Sequence, residues 1–136
     1  GRLGHGSVYH SKYLYAIGGY NGRPMSACER LSVSDDWWEA LQPLPQKSIG
    51  VRVVVVKKTH CLYALGGTAN GPRWNALTLI QRLSLVRLEW DAIPLRLPGI
   101  FSNFACFKQD DSRVCFVVKQ KLYCLNTLTE SSITLI

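Results

Sequence analysis

Tyr13-Leu14-Tyr15-Ala16-Ile17-Gly18-Gly19 recurs in this chain as Cys61-Leu62-Tyr63-Ala64-Leu65-Gly66-Gly67, at an offset of 48 residues. An apolar run closed by two glycines reads as a strand entering a sharp turn, because glycine adopts positive φ freely and leaves room for close packing. Working outward, each doublet is soon followed by Asn-Gly, at Asn21-Gly22 and Asn70-Gly71. Glu29-Arg30-Leu31-Ser32 then returns as Gln81-Arg82-Leu83-Ser84, and Trp38-Glu39-Ala40-Leu41 as Trp90-Asp91-Ala92-Ile93, both at an offset of 52. Leu44-Pro45 returns as Leu97-Pro98 at 53. The drift in offset falls where loops belong, after the double glycine and before the proline. A period of this size marks a repeat architecture, in which one supersecondary unit is stacked on its copies.

Each unit reads as four short strands. In the first unit they are expected near Gly6–Tyr9, Tyr13–Ile17, Ala27–Val33 and Trp38–Leu41; in the second near Val51–Val56, Cys61–Leu65, Leu77–Leu85 and Trp90–Ile93. These segments are rich in Val, Ile, Leu, Tyr and Trp and are bounded by Gly, Pro, Asn and Asp, the pattern of strands. Turn residues interrupt every window long enough for a helix. The last third departs from the pattern. Phe104–Phe107, Val114–Val118, Leu122–Leu125 and Ser132–Leu135 read as four more strands, but Val118-Lys119 stands where the double glycine is due and no tryptophan follows.

The order Tyr, Gly-Gly, Arg-Leu-Ser, Trp, Leu-Pro, present twice, resembles the kelch repeat, whose period is roughly 50 residues. The resemblance covers residues 1 to 98 and implies an all-β fold: a kelch-type β-propeller fragment of about three four-stranded antiparallel blades. The blades are expected at 1–47, 48–98 and, in degenerate form, 99–136. Gly18, Gly19, Gly66 and Gly67 are then turn glycines, and Trp38 and Trp90 are large apolar plates for the gaps between blades. Tyr15 and Tyr63 are expected to pack there too, and Arg30 and Arg82 to tie adjacent blades through carbonyls or carboxylates. Propellers close with about 4–8 blades, so the reading implies further blades in a longer parent chain, or a second copy, to cover the open flanks.

Composition narrows the function classes. The chain is 47% hydrophobic and 18% charged, enough to build a core. No apolar run approaches the roughly 18 residues of a membrane span, and the N-terminus lacks the apolar stretch of a signal peptide. The net charge of +7 comes from scattered Lys and Arg with a single adjacent Lys pair, Lys57-Lys58. That pattern fits a solvated surface or an acidic protein partner rather than nucleic acid. The five cysteines lack Cys-x-x-Cys spacing. They are expected to be reduced and structural, in a reducing, cytoplasmic compartment.

Recognition on such a scaffold is expected from loops. The loops after each double glycine and those joining one blade to the next share a face. They offer Tyr20, Asn21, Arg23, Arg73, Trp74 and Asn75 from the first set, and Lys47, Ser48, Ser102 and Asn103 from the second. These residue types suit a protein or peptide interface. Arg23 and Arg73 hold similar positions and fit a carboxylate or phosphate as well as they fit bare solvent. Trp74 is either an exposed anchor or folded onto its blade.

Catalytic constellations are absent. His5, His10 and His60 have no metal-ligand spacing, no Gly-x-Ser-x-Gly elbow occurs, and Asp35-Asp36 and Asp110-Asp111 fall in turns, where Asp is favoured. No cofactor or metal is expected. What the resemblance implies is a protein-interaction module, with roles that include substrate recognition for ubiquitin ligases and association with actin. Its rivals are a propeller enzyme of the oxidase, sugar isomerase or lyase type whose site lies in other blades, and a structural or actin-associated scaffold inside an assembly.

Overall fold

The structure, a computed structural model, describes residues 1–69, 75–98, 105–108 and 110–136. The first sheet contains β1 (Gly6–His10), β2 (Tyr13–Ile17), β3 (Cys28–Ser32) and β4 (Trp37–Leu41), antiparallel and in sequence order. The second contains β5 (Arg52–Val56) and β6 (Cys61–Leu65). After a short ladder of β7 (Thr68–Ala69) with β8 (Asn75–Ala76), it continues with β9 (Leu79–Ser84) and β10 (Trp90–Arg96). The third contains β11 (Ala105–Lys108), β12 (Arg113–Val118), β13 (Lys121–Asn126) and β14 (Ile133–Leu135). Three four-stranded antiparallel sheets, with no helix among the described residues, agree with the expected kelch-type β-propeller fragment. β10 runs past Pro94, and its register shifts between Ala92 and Arg96. A bulge is where a strand tolerates a residue without an N–H.

First strands lie side by side, β1 against β5 and β5 against β11. The approach is close at Gly6, where a Cβ would sit 2.9 Å from the Val51 carbonyl oxygen. Because side chains alternate across a strand, each sheet has two apolar faces, and two cores fill the gaps. Between the first and second sheets, Tyr15, Ile17, Cys28 and Leu44 meet Val51, Val55, Leu62, Ala64, Leu83 and Trp90. Between the second and third, Val54, Val56, Tyr63, Leu65, Ile80, Ile93 and Leu97 meet Val114, Phe116, Val118 and Leu125. The Phe116 and Tyr123 rings stack in this second core with centroids 5.7 Å apart.

The double glycines are fixed by the chain segments that pass behind them. Gly18 and Gly19 have φ of 64° and 110°, and the Gly19 N–H donates to the Ser48 carbonyl at 2.8 Å. Gly66 and Gly67 have φ of 63° and 86°, and a Cβ on Gly67 would stand 2.6 Å from the Ile49 carbonyl oxygen. The third sheet needs no such pair. β12 turns into β13 through Lys119 and Gln120 alone, with φ of 45° and 64°. This two-residue hairpin, with positive φ at both positions, replaces the long loop of the other sheets. That is the physical reason Val118-Lys119 stands where glycines were due.

Two expectations are corrected. Trp38 is not buried between blades: it is 49% exposed, whereas Trp90 is 8% exposed. The second sheet's tryptophan packs on the first sheet, donating its indole N–H to the Gln42 carbonyl at 2.8 Å. The first sheet's matching face has no sheet upon it among the described residues, so the same motif residue meets a different environment. The cysteines are not all reduced either. Cys115 and Cys124 form a disulfide, with Cα atoms 4.2 Å apart. They are nine apart in sequence, but the β12–β13 register sets them directly opposite. Cross-strand pairing, not short sequence spacing, brings the sulfurs together.

Candidate functional site

The loop between β2 and β3 builds a recess on the loop face. Its base is ordered by backbone hydrogen bonds. Met25 N–H donates to the Gly19 carbonyl at 2.8 Å, and Ser48 N–H to the Met25 carbonyl at 3.1 Å. Tyr20 bridges to both Leu3 and Pro24, so the loop is tied to the chain segment entering β1. The result is a cavity of about 310 Å³ lined by Asn21, Arg23, Pro24, Met25, Ser26, Ala27 and Lys47. Asn21, Arg23 and Lys47 are exposed, and Tyr20 is half-buried. Neither Arg23 nor Lys47 makes an ion pair with any described carboxylate. Two cations therefore border a concave surface with no acid to neutralise them, which is chemistry for a carboxylate-bearing ligand.

Ser48 is a correction. It is fully buried, and its hydroxyl donates to the Gly66 carbonyl at 3.0 Å. It holds the second double glycine in place and offers nothing to a partner. Arg2 has the corresponding place in the first sheet, donating to the Gly18 carbonyl at 3.0 Å and the Ala27 carbonyl at 2.8 Å while ion-paired with Glu29. Beside Ser48, Gln46 N–H donates to the Gln81 side-chain oxygen at 2.9 Å, so a buried glutamine of the second sheet anchors the linker that carries Lys47. Arg73, Trp74, Ser102 and Asn103 lie outside the described residues, and of Asn75 the backbone alone is described, in β8.

Away from the loops, the third blade is joined to the second by a polar clip that was not foreseen. Glu130 accepts from the Tyr63 hydroxyl at 2.7 Å and from Arg82 at 2.5 Å, and Arg82 also reaches Asp91 at 3.4 Å. Burial and then the Glu130 carboxylate raise the Tyr63 phenol well above its ordinary range. Arg82 thus ties adjacent blades as the repeat pattern predicts. Its counterpart Arg30 stays within its own sheet, on Glu39 at 2.7 Å and over the Tyr13 ring at 4.0 Å. The signal that could have found Glu130 is its place in the β13–β14 turn, next to the preceding blade, once the third unit is aligned by strands and not by glycines. Among the described residues, no three His, Cys, Asp or Glu side chains come together as a metal site.

Glycine doublets packed on the linkers, radially adjoining four-stranded sheets and a loop-lined face define the class: a repeat scaffold that displays loops. Residues 1–45 match the family model described as the kelch motif. The chain is also similar to a kelch repeat-containing protein of Dictyostelium discoideum, 30% identical over 92 residues. The match takes in 65% of this chain and 14% of that protein, so the chain spans about one seventh of the length of the curated relative it matches. These matches support a kelch-repeat fragment, and kelch repeats generally mediate protein–protein interaction.

Proposed function

We propose that this chain binds an acidic segment of another protein in the recess between the β2–β3 loop and the blade linker, with Arg23 and Lys47 taking the carboxylates and Asn21 a backbone amide. The observation that supports this most directly is the pair of unneutralised cations at the edge of a preformed cavity of about 310 Å³. Its base is hydrogen-bonded from beneath, Ser48 N–H donating to the Met25 carbonyl and Gln46 N–H to the Gln81 side-chain oxygen, an arrangement that lowers the ordering cost of binding. The surplus of positive charge, +7 over the whole chain, steers an acidic partner in the same sense.

Binding of an immobilised array of Asp/Glu-rich peptides, with Asn/Gln-matched controls, tests the reading. Acidic peptides bind, more weakly as salt rises, and combined Arg23→Glu and Lys47→Glu reduces affinity by about tenfold or more, two exposed charge contacts at up to about 1 kcal/mol each. Equal binding of acidic and neutral peptides, or indifference to the double reversal, refutes it. The substrate-recognition part of a ubiquitin-ligase adaptor is the specialisation of this reading that a BTB or F-box domain in the same polypeptide would mark. Arg73, Trp74, Asn75, Ser102 and Asn103 extend the same proposed face from the sequence side.

A further inference from the structure

Leu3 is 73% exposed, yet its backbone is pinned. Its N–H donates to the Tyr20 carbonyl at 2.9 Å, and the Tyr20 N–H returns to the Leu3 carbonyl at 2.8 Å. Ile49, in the linker that enters the second sheet, repeats the arrangement. Its N–H donates to the Thr68 carbonyl at 2.9 Å, and the Thr68 N–H returns at 2.8 Å. The two linkers are joined by Gly50 N–H, which donates to the Gly4 carbonyl at 2.7 Å. Gly4 has φ of 58°, and a Cβ there would stand 2.9 Å from Ile49 Cγ2, so glycine is what lets the linkers close up. Leu3 and Ile49 thus present a fixed apolar surface. With Gly4 and Tyr20 they line an open cavity of about 310 Å³, roomy enough for one aliphatic or aromatic side chain.

This cavity adjoins the recess bordered by Arg23 and Lys47. Tyr20, on its wall, is followed directly by Asn21 and bridges to Pro24, and both of these line the recess. On the other side Ile49 follows Lys47 by two residues, with the buried Ser48 between them. Two residues of chain reach no further than about 7 Å. The cationic edge and the apolar cavity therefore lie within the span of one short ligand segment. In an extended segment, side chains two positions apart stand on the same side, also about 7 Å apart.

We propose that the ligand is an extended acidic segment with an apolar residue two positions from an acidic one, and that this apolar side chain seats between Leu3, Tyr20 and Ile49. The inference rests on the acidic-segment reading of the recess and narrows its ligand class to acid–x–apolar. Charge complementarity selects the occupant: the cavity takes one apolar side chain, and the neighbouring cations require that it be carried on an anionic segment. The two subsites do different work. Exposed charge contacts are weak and screened by salt. An apolar anchor in a preformed cavity adds affinity that salt does not erode, and it discriminates among segments of equal charge.

Fluorescence anisotropy with labelled peptides in a common Gly/Ser frame tests it. Glu-Ser-Glu-Ser-Leu and its reverse, Leu-Ser-Glu-Ser-Glu, set leucine two residues from a glutamate. Glu-Ser-Glu-Leu-Ser sets it on the opposite side of an extended chain, and Glu-Ser-Glu-Ser-Ser lacks it. At least one of the first two binds about fivefold tighter than the leucine-free peptide, the yield of covering roughly half of a leucine side chain. Glu-Ser-Glu-Leu-Ser shows no gain. Leu3→Ser removes the gain and leaves the leucine-free peptide unchanged, while Leu3→Ile keeps it. Because Leu3 is mostly exposed and bonded through its backbone, Leu3→Ser leaves the melting temperature in place. Arg23→Glu weakens all four peptides alike. Acid-dependent binding without a leucine gain overturns this inference and leaves the acidic-segment reading standing. Binding indifferent to the glutamates and to Arg23→Glu overturns that reading, and the inference with it. A gain that survives Leu3→Ser, or one equally large in Glu-Ser-Glu-Leu-Ser, overturns the seat between Leu3, Tyr20 and Ile49.

Discussion

Glu130→Ala is the sharpest probe of how the blades are joined. The substitution removes two contacts, the Tyr63 hydroxyl at 2.7 Å and Arg82 at 2.5 Å. They are not equal. Tyr63 is fully buried, so its hydroxyl loses a charge-assisted bond and keeps no access to water, about 2 kcal/mol. The Arg82 side chain is 30% exposed and retains Asp91 at 3.4 Å, so its share is screened and falls to about 1 kcal/mol. The sum, about 3 kcal/mol, corresponds to roughly 10 °C in melting temperature for a chain of this length unfolding as one unit. Tyr63→Phe removes the donor together with its need for a partner and costs about 1 kcal/mol. In the double variant Glu130→Ala adds less than it does alone, because the orphaned hydroxyl is gone. Thermal unfolding followed by circular dichroism reads all three. A shift under about 2 °C for Glu130→Ala, or strict additivity with Tyr63→Phe, would refute the assignment of this clip to the blade interface.

Alkaline titration offers an independent reading of the same tyrosine. Its folded pKa lies above the ordinary value of 10, so its contribution to stability is complete below pH 10 and is lost as pH rises from there toward the folded value. Tyr63→Phe should remove that part of the alkaline loss. At the double glycines, Gly67→Ala meets both positive φ and the Ile49 carbonyl and should cost well over about 2 kcal/mol, whereas Gly22→Ala, at φ 104° in open space, should cost about 1, both by urea denaturation. Trp90→Ala should cost about 3–5 kcal/mol, and Trp38→Ala in this chain much less, since half of its surface is already in water. Alkylation with iodoacetamide at pH 8 should spare Cys28, whose thiol burial pushes to about 11, and Cys106, pushed by burial to about 12, until the protein unfolds. Cys115 and Cys124, disulfide-bonded and buried, should react only once the protein is both reduced and unfolded.

The strands were legible because their signal is local. Alternating apolar residues closed by glycine set β2 and β6 to the residue, and the offset of the second copy carried over to β9 and β10. The third sheet was legible from its apolar runs even without glycines, since strand pattern and loop chemistry are separate signals. What escaped notice depended on neighbours. Trp38 and Trp90 are the same motif residue, yet burial is decided by what lies across the gap, and the motif says nothing of that. Ser48 reads as a polar loop residue until the Gly66 carbonyl is seen above its hydroxyl. The Cys115–Cys124 bond follows from hairpin register, which the two-residue turn at Lys119-Gln120 fixes, and that turn has no glycine or asparagine to announce it. Of the proposed contact residues, Asn21, Arg23 and Lys47 converge on one recess, a convergence that needs the fold of the linker and was not visible along the chain.

That two-residue turn also shapes what can be gripped. Where β2 passes to β3 the chain rises into a wall beside Arg23, but where β12 passes to β13 it doubles back at once. The third blade therefore offers no loop of that kind between its second and third strands. Under the proposed binding mode, a ligand anchored at Arg23 and Lys47 would find no matching loop there, so extra residues in that direction would add length without adding grip.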